Sequence, residues 1–262
     1  MCSIDFGFIR DFVKHVREKS SSDNIFCCGE YWEDSATTVN KYLDDIGVQF
    51  TVFDAPLHYN FKEAGEAKSA FDLRKIWDGT IVQSRPVDAV TLVDNHDTQV
   101  GQALESWVSS GFKPLAYAMI LLRLDGYPCV FYGDLYGCGG KNPQQPVTQL
   151  EDFIRARKLG LLGPSQLCWL GTDRRGESSR WLCSLFHVST SQVVLCNGSE
   201  GVKTMEVGKE HAGEVWTDVL GWHTGEVTIG EDGRAEFRCP AESVSIWVNK
   251  DAHGRDEFSK AK

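Results

Sequence analysis

Glu30 is the first residue in this sequence whose type and position could do chemistry. It follows the apolar run Ile25–Cys28 and precedes Tyr31 and Trp32. A carboxyl group at the edge of aromatic packing can have its pKa raised, which is what a general acid requires. The alternative is an N-cap or surface glutamate, and this feature taken alone favours that alternative.

A second polar stretch runs from Asp94 to Thr98, directly after the apolar run Ala89–Val93. Consecutive polar groups at the end of a buried strand are costly unless they are hydrogen-bonded or functional. A helix start or a calcium-type loop is the alternative interpretation. Aromatic residues crowd the same strand ends, where sugar rings could stack, although such residues more often belong to the core. They are Trp32, Phe53, Tyr59, Phe61, Trp77, Phe131, Tyr132 and Tyr136.

The elements that must position these residues alternate between strands and helices. Apolar runs predict strands at Ile25–Cys28, Gln49–Asp54, Ala89–Val93 and Tyr127–Tyr132. Helices are predicted around Phe8–Val16 and over Ser35–Asp45, Asp72–Trp77, Pro114–Leu124 and Val147–Lys158. Strands that are apolar on both faces and alternate with helices predict a parallel sheet. Polar residues follow the carboxyl ends of these strands, the edge where such sheets and barrels build their sites. They are Glu30, Asp54, His96, Asp97 and Asp134.

The pattern changes after about residue 160, where short alternating runs are separated by glycine-containing turns. This pattern predicts an antiparallel β domain over residues 161–250, after a first domain at 1–160 and before a charged tail at 251–262. The runs are Val193–Cys196, Val202–Val207, Val215–Trp216, Val227–Ile229, Glu236–Arg238 and Val244–Val248. Asn197-Gly198-Ser199 matches a glycosylation sequon, but its position favours a hairpin turn.

Composition restricts the partners and the compartment. The 262 residues carry a formal charge of −10, which disfavours a nucleic-acid binder or an anionic membrane partner. The longest apolar run, Pro114–Leu122, is shorter than the ~18 residues of a membrane span.

Nine cysteines without a CxxC pair give no support for a zinc site. They indicate scattered thiols, and with no signal-peptide pattern at the N-terminus they favour a cytoplasmic location. The seven histidines show no metal-ligand spacing, so no metal site is predicted from the residues.

Four motifs, taken together and in this order, carry a family resemblance. They are Gly29–Trp32, Phe53–Phe61, Val93–Thr98 and Gly126–Asp134. Over residues 5–158 and 193–248 the chain resembles the α-amylases of glycoside hydrolase family 13. The resemblance implies an α/β fold, the second half of a (β/α)8 TIM barrel followed by an antiparallel β-sandwich. It also implies retaining hydrolysis of internal α-1,4 bonds, with starch, glycogen or a maltooligosaccharide as the partner.

The same resemblance assigns roles to individual residues. Glu30 matches the general acid/base, and Asp97 matches the carboxylate that stabilises the transition state. His96 matches a histidine that binds the same sugar, and Trp32 resembles an aromatic platform on the leaving-group side. Calcium is expected for the family, with most of its ligands in the first half of the enzyme.

The chain also departs from the family pattern. The nucleophile motif, GFRxDAxKH, has no counterpart, since no GFRxD occurs in the 262 residues. We therefore expect a chain that lacks the nucleophile, is inactive alone, and self-associates through unpaired sheet edges. Residues 160–192 do not resemble the family. Two alternatives remain open: a non-catalytic glucan-binding protein, and a truncated product without function.

Overall fold

Four parallel strands form the sheet of the first half of the molecule. The computed structural model describes residues 5–20, 25–159, 168–170, 182–184 and 191–259. The strands lie in the order β1-β2-β3-β4, and every neighbouring pair is parallel. They are β1 (Cys28–Gly29), β2 (Thr51–Phe53), β3 (Ala89–Leu92) and β4 (Tyr127–Cys129). The two inner strands are almost entirely buried, whereas Cys28 and Tyr127 on the outer strands are exposed.

Helices precede and connect these strands, which confirms the predicted α/β alternation. Three single 3-10 turns lie at Lys68–Ala70, Leu73–Lys75 and Pro86–Asp88. The helices are α1 (Phe6–Ser20), α2 (Ala36–Ile46), α3 (Ala55–Ala67), α4 (Ile81–Ser84), α5 (Lys113–Leu121), α6 (Tyr132–Tyr136) and α7 (Leu150–Lys158).

The helix after β2 differs from its prediction. The stretch Asp72–Trp77 contains only a 3-10 turn, and the main helix of this connection is α3. It begins directly at the end of β2 because the Asp54 carboxylate accepts a hydrogen bond from Leu57 N, and Pro56 lies in the first turn, where its missing N–H costs nothing. The predicted helix over Asp72–Trp77 was therefore wrong in its length and type.

Two antiparallel sheets form the C-terminal domain, and all six strands predicted between Val193 and Val248 are present. A six-stranded sheet has the order β10-β9-β12-β7-β6-β5, and β8 pairs with β11 in a second sheet. The strands are β5 (Cys168–Leu170), β6 (Leu182–Ser184), β7 (Ser191–Cys196), β8 (Gly201–Glu206), β9 (Val215–Asp218), β10 (Glu226–Thr228), β11 (Arg234–Cys239) and β12 (Ser243–Asn249). Most of the atypical segment 160–192 lies outside the described residues.

The strands β7 and β12 of the six-stranded sheet are buried on both faces. Val193 and Leu195 of β7, with Val244, Ile246 and Val248 of β12, share one core cluster with the helices of the first half. The alternate residues, including Val194, Cys196 and Trp247, face a second cluster shared with β8 and β11. The period-two alternation of β7 and β12 thus packs these strands between the half-barrel and the smaller sheet. The predicted second half of a barrel followed by a β-sandwich is confirmed.

The Asn197 turn does not form a hairpin. It connects β7 to β8, which lie in different sheets, and its side chain is buried. Asn197 Nδ2 donates hydrogen bonds of 3.0 Å to the carbonyls of Lys68 and Phe71 in the first half. The predicted hairpin was wrong, and the residue instead joins the two halves of the molecule.

The end of the described chain packs back onto the first half. A short helix, α8 (Asp256–Ser259), buries the Phe258 side chain, and the Arg155 guanidinium of α7 lies 5.9 Å from its ring centroid. Within the described residues no helix has both the length and the apolar character needed to cross a bilayer.

Candidate active site

The carboxyl edge of the parallel sheet carries the candidate site. Glu30 directly follows β1 and is exposed to solvent, whereas His96 and Asp97 lie in the loop after β3. The strand β2 separates β1 from β3, which places these two strands about 10 Å apart. The sheet therefore brings Glu30, His96 and Asp97 to one edge, on two strands that are separated by a single strand.

His96 and Asp97 point away from the core and lie beside each other. The Nε2 atom of His96 is 3.7 Å from the Asp97 Oδ2 atom, and 74% of the first side chain and 37% of the second are exposed. The backbone that carries them is fixed by Asn95, whose Oδ1 accepts hydrogen bonds of 2.9 Å from Asp97 N and Thr98 N. An Asx turn of this kind holds a polar pair in one orientation while leaving its side chains free to contact a ligand.

The Trp32 side chain is more buried than an aromatic platform on which a sugar ring stacks would be. Its side chain is only 8% exposed and packs against Ala55 and Leu92. Its indole Nε1 donates a 3.1 Å hydrogen bond to the hydroxyl of Tyr59. A ligand could therefore contact only a small part of the indole, and the role predicted for Trp32 stays a prediction.

Beneath the loop of His96 and Asp97 lies a buried ion cluster. The ammonium of Lys113 is 2.9 Å from Asp94 Oδ2 and 2.5 Å from Asp134 Oδ1. Tyr117 donates a 2.6 Å hydrogen bond to the other oxygen of Asp134, and the Lys113 ammonium is 3.0 Å from the Trp107 ring centroid. Burial raises the pKa of Asp94 to about 7, against the lowering effect of Lys113.

His58 joins α3 to both ends of the same loop. Its Nδ1 is 2.6 Å from the carbonyl oxygen of Val93, and its Nε2 is 2.7 Å from the hydroxyl of Ser106. A carbonyl only accepts, so Nδ1 carries the proton and Nε2 is the acceptor in the neutral ring. Burial lowers the pKa of His58 to about 4. The imidazole is thus a neutral structural link at neutral pH.

Asp54, at the same edge, has a structural role. Its carboxylate is buried and accepts hydrogen bonds from the backbone N–H groups of Leu57, Ile81 and Val82. Burial raises its pKa to about 6, although these three donors lower it. The residue ties α3 and α4 to the end of β2 and does not face the ligand side.

Comparison with known proteins gives this edge its context. Residues 192–248 match a family model described as the α-amylase C-terminal domain. The chain is 40% identical to an α-amylase of Bacillus licheniformis over 257 residues, 94% of this chain and 48% of that protein. It is 37% identical to the cytoplasmic α-amylase of Escherichia coli K12, over 92% of this chain and 50% of that protein. Together these matches relate the chain to α-amylases. It spans about half the length of these curated relatives and corresponds to their C-terminal half.

Solved α-amylase structures share the fold at lower sequence identity. An Anoxybacillus α-amylase superposes with a TM-score of 0.63 at 19% identity, over 96% of this chain and 57% of that one. An α-amylase of Geobacillus thermoleovorans, solved as an acarbose complex, gives a TM-score of 0.62 at 16% identity, over 95% and 58%. These matches show that the half-barrel and sandwich are the arrangement found in α-amylases.

The calcium ion expected of the α-amylase family has no evident place in this part of the chain. Among the described residues no group of three or more His, Cys, Asp or Glu side chains is arranged to hold a metal ion. The two buried carboxylates that approach each other, Asp94 and Asp134, are already bridged by the Lys113 ammonium. Because an ammonium already lies between them, these carboxylates do not fit a calcium ion.

Asp94 and Asp134 were predicted at this edge, but Lys113, Tyr117 and His58 were not predicted as part of the site. One signal was present: Lys113 begins an otherwise apolar helix, and a lysine at such a position must find buried acceptors. The partners could not be read from the sequence, because Asp94 and Asp134 follow different strands and meet only through the register of β3 and β4.

Proposed function

We propose that this chain carries the α-glucan-binding edge of an α-amylase, with Glu30 as general acid/base and Asp97 as the carboxylate that stabilises the transition state. The observation that supports this best is the exposed His96–Asp97 pair, on the same sheet edge as Glu30 in a chain 40% identical to an α-amylase. The ligand class is starch, glycogen or a maltooligosaccharide.

In retaining hydrolysis these residues have distinct tasks. Glu30 donates its proton to the glycosidic oxygen as the C–O bond breaks, and as carboxylate it then deprotonates the water that releases the sugar. Asp97 and His96 bind the sugar ring on which positive charge develops. The covalent intermediate needs a further carboxylate, ~5–5.5 Å from the acid, and the 262 residues contain no GFRxD motif to supply it. We therefore propose that the chain alone binds α-glucans without hydrolysing them.

Binding of maltohexaose to the 262-residue chain tests this function. Titration calorimetry should give a dissociation constant in the millimolar range or tighter. His96→Ala and Asp97→Asn should each weaken binding at least fivefold, since the first removes a hydrogen-bonding ring and the second replaces a charged acceptor with a neutral amide. His253→Ala and Asp78→Asn are matched controls, because both side chains are exposed and neither belongs to the loop that carries His96 and Asp97. Chromatography of the same samples should show no shorter sugars.

Three outcomes would change the assignment. Release of shorter sugars that is lost in Glu30→Gln would mean that the chain is itself a hydrolase. Binding that survives His96→Ala and Asp97→Asn would place the sugar elsewhere. A folded chain that binds no maltohexaose would favour the product without function. Repeating the titration with added calcium tests whether the ion expected of the family changes the affinity.

A cytoplasmic location is also proposed, on the cysteines. Within the described residues, Cys27, Cys28, Cys129, Cys138 and Cys239 form no disulfide, which suits a reducing compartment. Fractionation of the native cells with an antibody to this chain would test the proposal.

A further inference from the structure

The loop that carries His96 and Asp97 is held from below by charged groups that do not reach the ligand side. Asp94 accepts a 2.7 Å hydrogen bond from the Thr98 hydroxyl at one end of the loop and a 3.2 Å bond from Val108 N at the other. Its own position is set by Lys113, which also binds Asp134 after β4. One buried carboxylate therefore closes the loop and connects it to the neighbouring strand.

The Thr98 hydroxyl transmits this restraint to the site. Besides donating to Asp94, it accepts a 3.0 Å hydrogen bond from Asn95 N. The Asn95 side chain in turn holds the backbone N–H groups of Asp97 and Thr98. An uninterrupted series of hydrogen bonds thus runs from the Lys113 ammonium to the backbone of Asp97.

From this geometry we propose that Asp94, Lys113 and Thr98 are positioning residues for His96 and Asp97, holding them in the orientation that contacts the sugar. The proposal rests on the proposed function for its ligand, but its structural part is independent of it. Lys113 is the central group, because its ammonium binds the buried carboxyl groups of both Asp94 and Asp134 at the ends of β3 and β4.

Two measurements on the 262-residue chain test the proposal with Thr98→Val, which removes the hydroxyl and keeps the shape. Hydrogen–deuterium exchange should speed up about tenfold in peptides covering residues 95–108, the effect of losing a hydrogen bond to a charged group. Exchange in α3 should stay unchanged. Maltohexaose binding should weaken at least fivefold, and Thr98→Ser, which restores the hydroxyl, should recover both values.

Asp54→Asn is the matched control for general destabilisation. Asp54 is a buried carboxylate at the same sheet edge, but it holds α3 and α4 rather than the loop. It should speed up exchange in α3 and α4 and leave residues 95–108 unchanged. A loop whose exchange and sugar affinity are the same in Thr98→Val as in the wild type would overturn the proposal.

The two proposals fail in different ways. If the wild-type chain binds no maltohexaose, the proposed function fails, and the exchange data still decide whether Thr98 positions the loop. If Thr98→Val does not fold, Asp94→Asn provides the second variant, since an amide keeps one acceptor for Val108 N while losing the charge that faces Lys113. Faster exchange confined to the loop supports the proposal, and exchange raised equally throughout the chain contradicts it.

Discussion

At the scale of single residues, the buried groups under the sheet edge have opposite responses to pH. The pKa of Asp94 is raised to about 7 by burial, so the folded chain holds its proton where the unfolded chain has released it. Between about pH 4 and pH 7 this carboxyl lowers the free energy of unfolding as pH rises. His58 acts in the opposite direction, because its folded pKa of about 4 lies below the ordinary value of 6.5.

His58→Gln should isolate the histidine contribution. In the wild type the unfolded chain takes up a proton on His58 below pH 6.5 while the folded chain does not, so the free energy of unfolding falls as pH drops towards 4. The variant lacks this loss. The amount by which its free energy of unfolding falls below that of the wild type at pH 7 should therefore shrink by about 3 kcal/mol at pH 4. Urea unfolding at one-unit pH steps measures the difference.

Most other titrating groups affect the wild type and His58→Gln equally. Asp94 lies 3.9 Å from His58 Nδ1, and Lys113 and Lys62 also act on the ring, but all three are present in both proteins. A difference between wild type and His58→Gln that stays constant from pH 7 to pH 4 would mean that His58 is not held neutral in the fold.

At the scale of elements, the sequence predicted the strands, whose positions follow from periodicity and burial. The strands β1 to β4 and β7 to β12 coincide with apolar runs, because each must bury side chains on one or both faces. The helix α3 was missed because its apolar residues follow β2 without a turn, with Asp54 serving as the cap. A local pattern does not show that a carboxylate ending one strand also begins the next helix.

The residues of the candidate site also differ in whether a local pattern could predict them. Glu30, His96 and Asp97 were found because they stand in recognisable motifs at strand ends. The bridge from Lys113 to Asp94 and Asp134 was not predicted, since it depends on which strands are neighbours. The burial of Trp32 likewise comes from Tyr59 and Leu92, which belong to other elements.

One turn adds hydrogen bonds to the apolar junction between the two halves. Asn197→Ala removes both hydrogen bonds to the carbonyls of Lys68 and Phe71, of which Lys68 O keeps its 3.1 Å bond from Phe71 N. The free energy of unfolding should fall by about 1–3 kcal/mol. Asn142→Ala is the control, because its exposed amide makes one bond, to Val100 O, and should cost less than about 0.5 kcal/mol. Equal effects of the two substitutions in urea unfolding would show that the Asn197 bonds contribute nothing to the junction.

At the scale of the whole molecule, the curvature of the parallel sheet has a consequence for association. Phe26 precedes β1 and Tyr127 begins β4, yet their ring centroids are 5.0 Å apart although β2 and β3 lie between these strands. Such a contact requires the sheet to curve, as a part of a barrel does. Phe26 is 55% and Tyr127 43% exposed, and in the described residues the outer edges of both strands are unpaired.

We expect the 262-residue chain to self-associate through this apolar surface and the two strand edges, because burying them removes aromatic surface from water and pairs the edge N–H and C=O groups. Light scattering after size exclusion should give a mass above 29.3 kDa that rises with protein concentration. The net charge of −10 opposes contact between copies, so association should strengthen as added salt screens that repulsion. Phe26→Lys with Tyr127→Lys should shift the chain towards the monomer. Val87→Lys should not, because this more exposed side chain precedes the inner strand β3 rather than an edge strand. A monodisperse monomer at all concentrations and salt levels would mean that the curved sheet covers its own apolar face well enough to need no partner.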